Sequence, residues 1–140
     1  QHVNAILNVL NTFQITDPLS GSNTKGEFTN PILRDLYTNL TNRVDISVGE
    51  AIKVGLLIED MDIFDLENGI VETSNPQIIS VYSSLKCGSE NHLRSFNNQA
   101  IAAGVDYAPE YISQDQYLAI ISSARSSCQI PNWQTKWSQS

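Results

Sequence analysis

The sequence contains little positive charge and no long hydrophobic run. Lysine and arginine together number 8 against 15 aspartates and glutamates, so the formal net charge is −7 at pH 7. A chain with this balance lacks the basic patch through which proteins bind nucleic acid or anionic membranes. Its apolar runs are also shorter than the roughly 20 residues that a membrane-spanning helix needs. We therefore expect neither a nucleic-acid partner nor a transmembrane segment.

Cysteine is scarce as well, since Cys87 and Cys128 are the only two. An even number could form one bridge, and Cys87 has no basic neighbour except Lys86 to activate it as a thiol, so we predict a Cys87–Cys128 disulfide. The low lysine and arginine content points the same way, and Asn39 begins a glycosylation sequon. These features predict a secreted or extracytoplasmic glycoprotein. The start at Gln1, without methionine, predicts a processed or trimmed chain.

Helix start and stop signals divide almost the whole chain into helices. With 140 residues, 41% of them hydrophobic and 16% charged, it is most simply one globular domain. Two Asn-Pro pairs, two capping-box patterns and a stop glycine mark the helix ends. The marked residues are Asn30-Pro31, Asn75-Pro76, Ser47 with Glu50, Ser113 with Gln116, and Gly104. They predict an all-α domain over residues 1–125, with helices at 2–13, 31–43, 48–73, 76–103 and 113–125. Residues 126–140, including Trp133 and Trp137, are predicted to be an irregular tail that packs on the bundle.

Polar residues with metal-binding side chains interrupt the predicted core lines of three helices. In heptad spacing, the long third helix carries Glu59 and Asp62 on its inward line, and the fourth carries His92. The first helix carries His2 at the start of its own line. Carboxylates and imidazoles that project inward from facing helices build metal sites in bundles, and this mixed set suits iron or manganese, with zinc a further candidate. We expect Glu59, Asp62 and His92 to converge within metal-bridging reach, and His2 to approach the same point.

Each of these residues also has a purely structural interpretation. A single histidine on an apolar face is more often a core residue with satisfied hydrogen bonds than a ligand. An interior glutamate more often pairs with an arginine, and Arg94 or Arg43 could serve Glu59 in this way. Ser89 beside His92 does not form a nucleophile–base pair, because both lie on one helix and no carboxylate orients the histidine.

The segments that carry these residues resemble an uncharacterised subgroup of the ferritin-like superfamily. The resemblance covers about residues 1 to 120 and lies in the runs Phe28–Pro31, Ala51–Ile63, Gly88–Phe96 and Tyr107–Ser113. It implies a four-helix bundle with a di-metal carboxylate centre and short peripheral helices. The ligands that it carries over onto this chain are His2, Glu59, Asp62 and His92.

The chain departs from the pattern of a full di-metal centre in three respects. In ferritin-like bundles one ligand helix, usually the first, supplies a glutamate, and this chain lacks that helix. The Glu of the next helix's Glu-x-x-His motif would precede Gln1 if His2 is the histidine. Ser89 stands where the second such motif would have its glutamate. The resemblance therefore implies an N-terminally incomplete bundle that offers four of the six ligands expected for a full centre.

Two functional classes follow from this combination. The first is a ferritin-like metal-binding protein for iron or manganese, with an oxidase, ferroxidase or metal-storage role. The second is a non-catalytic secreted structural or assembly protein that reuses the bundle. In either class we expect a homo-oligomer or a partner segment to supply the absent helix, because an incomplete bundle exposes apolar side chains.

Overall fold

The computed structural model describes residues 2–19 and 24–129, which form five α-helices and no strand. The helices are α1 (His2–Thr12), α2 (Pro31–Val44), α3 (Val48–Val71), α4 (Pro76–Ala103) and α5 (Gln114–Ser122). The predicted all-α class is confirmed, and each predicted helix corresponds to one of the five. No helix within these residues is long and apolar enough to cross a bilayer.

The helices begin at the predicted capping residues. The side chain of Asn30 accepts hydrogen bonds from the backbone of α2, and Asn75 does the same for α4. The hydroxyls of Ser47 and Ser113 each accept from the amide three residues later, at 3.1 Å. At the other end of α4, Gly104 adopts the left-handed conformation, with φ of 66°, that this kind of helix stop requires. The amide donors of these first turns are therefore satisfied locally.

Helix α5 ends three residues before the predicted Arg125. The reason is a contact from α4: Nε of Arg94 donates to the carbonyl oxygen of Ile120 at 2.9 Å, and its Nη2 donates to the hydroxyl of Ser123 at 2.9 Å. Ser123 takes an extended conformation and closes the helix. The ends of α1 and α3 also fall one or two residues earlier than predicted, and Gln14, with φ of 55°, turns the chain after α1.

The two long helices α3 and α4 form an antiparallel pair around which the other helices pack. Helix α2 lies on α3, while α1 and α5 lie on α4. No Cα atom of α1 comes within 8 Å of a Cα atom of α3. The contacts of α1 run from Gly88, beside His2, toward Val81, so α1 is antiparallel to α4 and parallel to α3. Helices α1 and α3 are thus parallel neighbours of α4 whose backbones are not in close contact, although Leu66 of α3 packs against the hydrophobic cluster that Ala5 of α1 forms with α4.

The hydrophobic core consists of two separate clusters. The larger joins α3, α4 and α5 and contains Ile52, Leu56, Ile63, Leu93, Ala100, Ile112, Tyr117 and Ile120. The smaller joins α1 to α4 and contains Ala5, Val81 and Leu85. Leu56 and Ile63 are fully buried although neither falls on the heptad line through Glu59 and Asp62. Val48 falls on that line, at the start of α3, but is 76% exposed. The inward surface of α3 is therefore wider than one heptad seam.

Asp60 is the most completely buried charged residue in the described chain, with an exposure of 0%. Its carboxylate accepts hydrogen bonds from the hydroxyl of Tyr107 at 2.8 Å and from the backbone amides of Glu110, Tyr111 and Ile112 at 2.6, 3.2 and 2.8 Å. A buried carboxylate is stable only when its oxygens are satisfied in this way. Asp60 thereby fixes the connection between α4 and α5 against the middle of α3.

The segment after α5 is attached to α4 by a disulfide and by hydrogen bonds, including one from the hydroxyl of Ser84 to the carbonyl oxygen of Gln129. Cys87 and Cys128 form the predicted disulfide pair, with a Cα–Cα distance of 5.6 Å. One turn further along α4, the side-chain nitrogen of Asn91 donates to the carbonyl oxygen of Ser126 at 2.8 Å. The side-chain oxygen of Asn91 accepts from the backbone amide of Ser126 at 3.0 Å. Residues 126–129 of the predicted tail thus contact α4, while the rest of the tail, with Trp133 and Trp137, lies outside the described residues.

Candidate metal centre

Glu59 and His92 face each other across the α3–α4 pair. Nδ1 of His92 lies 3.2 Å from Oε1 of Glu59. The side chain of Glu59 is only 11% exposed, whereas that of His92 is 53% exposed. The pairing follows from the antiparallel register, in which Gly55 also meets Phe96 and Gly69 meets Tyr82. These two glycines bring α3 close to α4 on either side of the pair.

Burial is the main influence on the carboxyl group of Glu59 and raises its pKa above the ordinary value. The neighbouring charge of Asp62 raises the pKa further, while His92 and a hydrogen bond from Ser89 lower it. The arginines considered from the sequence have other partners: Arg43 pairs with Glu50 at 3.3 Å, and Arg94 binds α5 and Asn91. Among the described residues, the partner of Glu59 is therefore an imidazole rather than a guanidinium group.

His2 approaches the pair from α1. Its ring centroid lies 6.1 Å from that of His92, and the rings are tilted by 32°. Gly88 makes room for it, because a Cβ atom on residue 88 would lie 3.0 Å from Nε2 of His2. This role of Gly88 was not predicted from the sequence, and a glycine four residues before His92 on the same helix face is the signal that could have suggested it.

Asp62 lies nearly one turn along α3 from Glu59 and is exposed at its surface. Partial burial raises the pKa of its carboxyl group, the charge of Asp65 raises it further, and His2 and His92 act in the opposite direction. The two imidazoles are therefore near enough to influence Asp62 electrostatically. It remains at the edge of the site, not in the Glu59–His92 contact.

The described side chains do not assemble a complete metal site. Within residues 2–19 and 24–129, no group of three histidine, cysteine, aspartate or glutamate side chains is close enough to hold a metal ion. The Glu59–His92 contact is the assembled part, with His2 and Asp62 on either side of it. In its chemistry the donor set still fits a cation, because a buried carboxylate with a raised pKa gains from a positive ion beside it.

An open groove runs between α1 and α3, and we call it the acidic groove because Asp62 and Asp65 lie on one of its walls. Its volume is about 410 Å³, and its floor is formed by Tyr82, Leu85 and Ser89 of α4. His2 and Ile6 line one side, and Asp62, Asp65, Leu66 and Gly69 line the other. The groove is thus mainly apolar along its length and carries predicted ligands on both walls.

Asp60 was also not predicted from the sequence; it lies next to Glu59 in the chain but has a structural role. Its four hydrogen bonds are all directed away from the candidate ligands, to the connection between α4 and α5. The signal was a second helical line on α3, through Ile52, Leu56, Asp60 and Ile63. Asn39, the predicted glycosylation site, is exposed on α2, and its modification stays a prediction.

Comparison with known proteins identifies relatives over nearly the whole described region. The profile of a family described as an uncharacterised protein domain, DUF2202, matches residues 1–124. The chain is 42% identical over 123 residues to the uncharacterised protein MJ0754 of Methanocaldococcus jannaschii, which covers 88% of this chain and 66% of that protein. The crystal structure of hypothetical protein MJ0754 superimposes with a TM-score of 0.86 at 41% identity, covering 89% of this chain and 71% of the other. The matched region therefore spans slightly less than two thirds of that relative's full length.

Proposed function

The chain belongs to the DUF2202 family of uncharacterised protein domains, and we propose that it binds a divalent metal ion, iron or manganese, at the Glu59–His92 pair. The observation that carries the proposal is the 3.2 Å contact between a nearly buried carboxylate and an imidazole on the facing helix. Burial of a carboxylate costs free energy that this partly exposed histidine offsets only in part. A bound cation would offset the remainder.

The helix arrangement supports a ferritin-like bundle. In such folds one long crossover joins two parallel helices. Here α1 and α3 are parallel, the long connection between them contains α2, and α4 is antiparallel to both. In a four-helix bundle of this kind, the groove left open between α1 and α3 would be the place of the fourth helix.

Four residues would hold the ion, each from its own position on the bundle. Glu59 and His92 would bind first because they are already in contact, and His2 and Asp62 would join by side-chain movement. Iron or manganese bound there would supply redox chemistry at a carboxylate-rich site, as in oxidases, ferroxidases and storage proteins. The role of the protein residues is to bind the ion, to hold His92 by its bond to Glu59, and to limit access of water to the carboxylate.

A helix from a second copy, or from a segment outside the described residues, would complete the site in the acidic groove. The apolar floor of the groove would be buried by such a helix, and a carboxylate on it would supply a ligand that α1 and α4 do not carry. Metal binding and assembly would then be linked. A docked helix that supplies a ligand would raise the affinity for the metal ion, and the bound ion would raise the affinity for the helix by the same factor.

The alternative is a non-catalytic assembly protein that reuses the bundle and docks a helix in the groove without metal. The absence of a three-ligand cluster among the described side chains favours it. For either function we propose a secreted or otherwise extracytoplasmic protein, glycosylated at Asn39. The Cys87–Cys128 pair supports this location, because disulfides persist in oxidising compartments.

Metal analysis of the purified full chain tests the main proposal. We expect iron or manganese in the isolated protein, and saturable binding when Mn²⁺ is added to chelator-treated protein and followed by electron paramagnetic resonance. Glu59→Ala and His92→Ala should each weaken this binding by at least about tenfold, as loss of metal-site residues generally does. Glu72→Ala, which removes an exposed carboxylate just beyond α3, is the matched control and should bind like the wild type.

Equal Mn²⁺ binding by all variants, or none by the wild type, would reject the metal proposal. Light scattering coupled to size-exclusion chromatography then tests the alternative, the non-catalytic assembly protein, by measuring the oligomeric state. A metal-free oligomer that dissociates on Leu66→Glu in the groove wall would favour the assembly function, and a monomer would exclude a second copy in the groove.

A further inference from the structure

A second cavity, which we call the polar pocket, lies on the opposite side of His2 from the acidic groove. It has a volume of about 530 Å³ and is enclosed by α1, α4 and the segment after α5. Its size is within the range of small-molecule binding sites. The lining residues include His2 and His92, which form its boundary with the candidate metal centre.

The lining of the polar pocket differs in charge from the rest of the molecule. The chain carries 15 acidic and 8 basic residues, yet no aspartate or glutamate of the described chain lines this pocket, and Arg125 does. Within residues 2–19 and 24–129, Arg125 forms no ion pair. The other arginine nearby, Arg94, is held by α5, Asn91 and Glu90. The polar pocket is thus lined by one exposed arginine and by no acidic side chain of the described chain.

Residues with uncharged hydrogen-bonding side chains line the same pocket. Asn4 and Asn8 lie one turn apart on the same face of α1. Ser126 lies in the wall formed by the segment after α5. A planar guanidinium fork with amide and hydroxyl donors beside it matches the oxygens of a carboxylate or phosphate group.

The wall that carries Arg125 and Ser126 is fixed before any ligand arrives. Asn91, which is 8% exposed, binds both backbone groups of Ser126, and the disulfide to Cys87 holds Cys128 two residues later. Pre-organisation of this kind lowers the entropy lost when a ligand binds.

We propose that the polar pocket binds a small molecule through a carboxylate or phosphate group, with Arg125 as the principal binding residue. The amides of Asn4 and Asn8 and the hydroxyl of Ser126 complete the recognition of its oxygens. The site goes beyond metal binding and does not require it, because none of the four residues is a candidate metal ligand. Its position beside His2 and His92 places a bound anion next to the candidate centre.

The test uses the full chain, labelled with ¹⁵N and treated with chelator, in 150 mM sodium chloride. Inorganic phosphate and succinate are titrated separately while amide and arginine Nε signals are followed by nuclear magnetic resonance. We expect saturable shifts confined to Asn4, Asn8, Arg125 and Ser126 with at least one probe. The probe that saturates identifies the group as phosphate or carboxylate.

Three variants decide the role of Arg125. R125Q should weaken binding at least tenfold, and R125K, which keeps the charge but not the fork, should give an intermediate loss. R34Q, at an exposed arginine on α2, is the control and should bind like the wild type. The proposal is overturned if neither probe saturates, or if R125Q and R34Q bind alike. Because metal is absent throughout, failure here leaves the metal proposal unaffected.

Discussion

The hydroxyl of Tyr107 donates a hydrogen bond of 2.8 Å to the fully buried carboxylate of Asp60, on a helix 47 residues earlier in the chain. Three backbone amides converge on the same carboxylate. Burial and this bond raise the pKa of the Tyr107 hydroxyl, so it remains a donor well into the alkaline range. The pair fixes the α4–α5 connection, on which part of the larger hydrophobic cluster depends.

Removal of this anchor should destabilise the protein strongly. Asp60→Ala leaves four donors without an acceptor, and we expect a loss of about 3–5 kcal/mol in the free energy of unfolding. Tyr107→Phe removes one donor only and should cost about 1–2 kcal/mol. Urea unfolding measures both, and amide exchange at residues 110–112 should accelerate in each variant. Equal stability of wild type and Asp60→Ala would contradict the anchoring role.

The Cys87–Cys128 disulfide should contribute substantially to stability. It closes a loop of 41 residues, and the chain-entropy model assigns about 4 kcal/mol to such a loop. The free energy of unfolding of the double variant C87S/C128S should therefore be lower by about that amount, and its urea midpoint should fall accordingly. Two thiols available for alkylation in native, unreduced protein would show that the bridge does not form. N91A, which removes the neighbouring attachment, is the companion variant and should leave the thiol count unchanged.

The stability of the metal-free protein should depend on pH through Glu59. Its pKa is raised on folding, chiefly by burial, so the folded state binds the proton more readily than the unfolded state. The contribution of this group to stability is therefore fully present below the ordinary pKa and is lost as the pH rises through the raised value. We expect E59Q to be more stable than the wild type at pH 7, with the difference disappearing toward pH 4.

Urea unfolding at both pH values measures this difference, and Glu72→Gln, at an exposed carboxylate, is the control that should show none of it. If E59Q were instead the less stable protein at pH 7, the attraction of His92 would outweigh the cost of burial. The raised pKa would then be the wrong description of this site.

The close approach of α3 and α4 should be sensitive to a single methyl group at Gly55. A Cβ atom there would lie 2.5 Å from the ring of Phe96, so we expect Gly55→Ala to cost about 1–3 kcal/mol through overpacking. At Gly49 the nearest contact is 3.3 Å, to Val105, and Gly49→Ala should be nearly neutral or slightly stabilising. Thermal unfolding compares the two. Phe96→Leu in the Gly55→Ala background should recover part of the loss, which a change in helix propensity alone would not explain.

The sequence predicts the helices well because their signals are local. Asn30, Ser47, Asn75 and Ser113 act within three residues of themselves, and all four cap the helices that they were predicted to begin. The predicted end of α5 at Arg125 was wrong because Arg94, from another helix, determines where α5 ends. Local patterns carry no information about such a contact.

The candidate site was predictable only for residues that pack along the heptad lines on which α3 and α4 face each other. Glu59 and His92 lie on facing seams and meet. Asp62 lies on the same seam but is exposed, because α1 does not reach α3 to cover it. Asp60 and Leu56 face the α4–α5 connection instead, and a heptad pattern written for two helices has no position for that third neighbour.

The division of the core into two clusters has a consequence for how the first histidine reaches the others. Helix α1 has 11 residues and buries only Ala5 completely, and isolated helices of that length are marginal in water. It is therefore helical chiefly while it is docked on α4, whereas Glu59 and His92 belong to the α3–α4 pair, which the larger cluster stabilises on its own. Undocking of α1 removes His2 but leaves the Glu59–His92 contact in place. In the proposed metal site, the number of imidazoles would thus depend on the docking of α1, and a helix in the acidic groove beside α1 would favour the docked state with two.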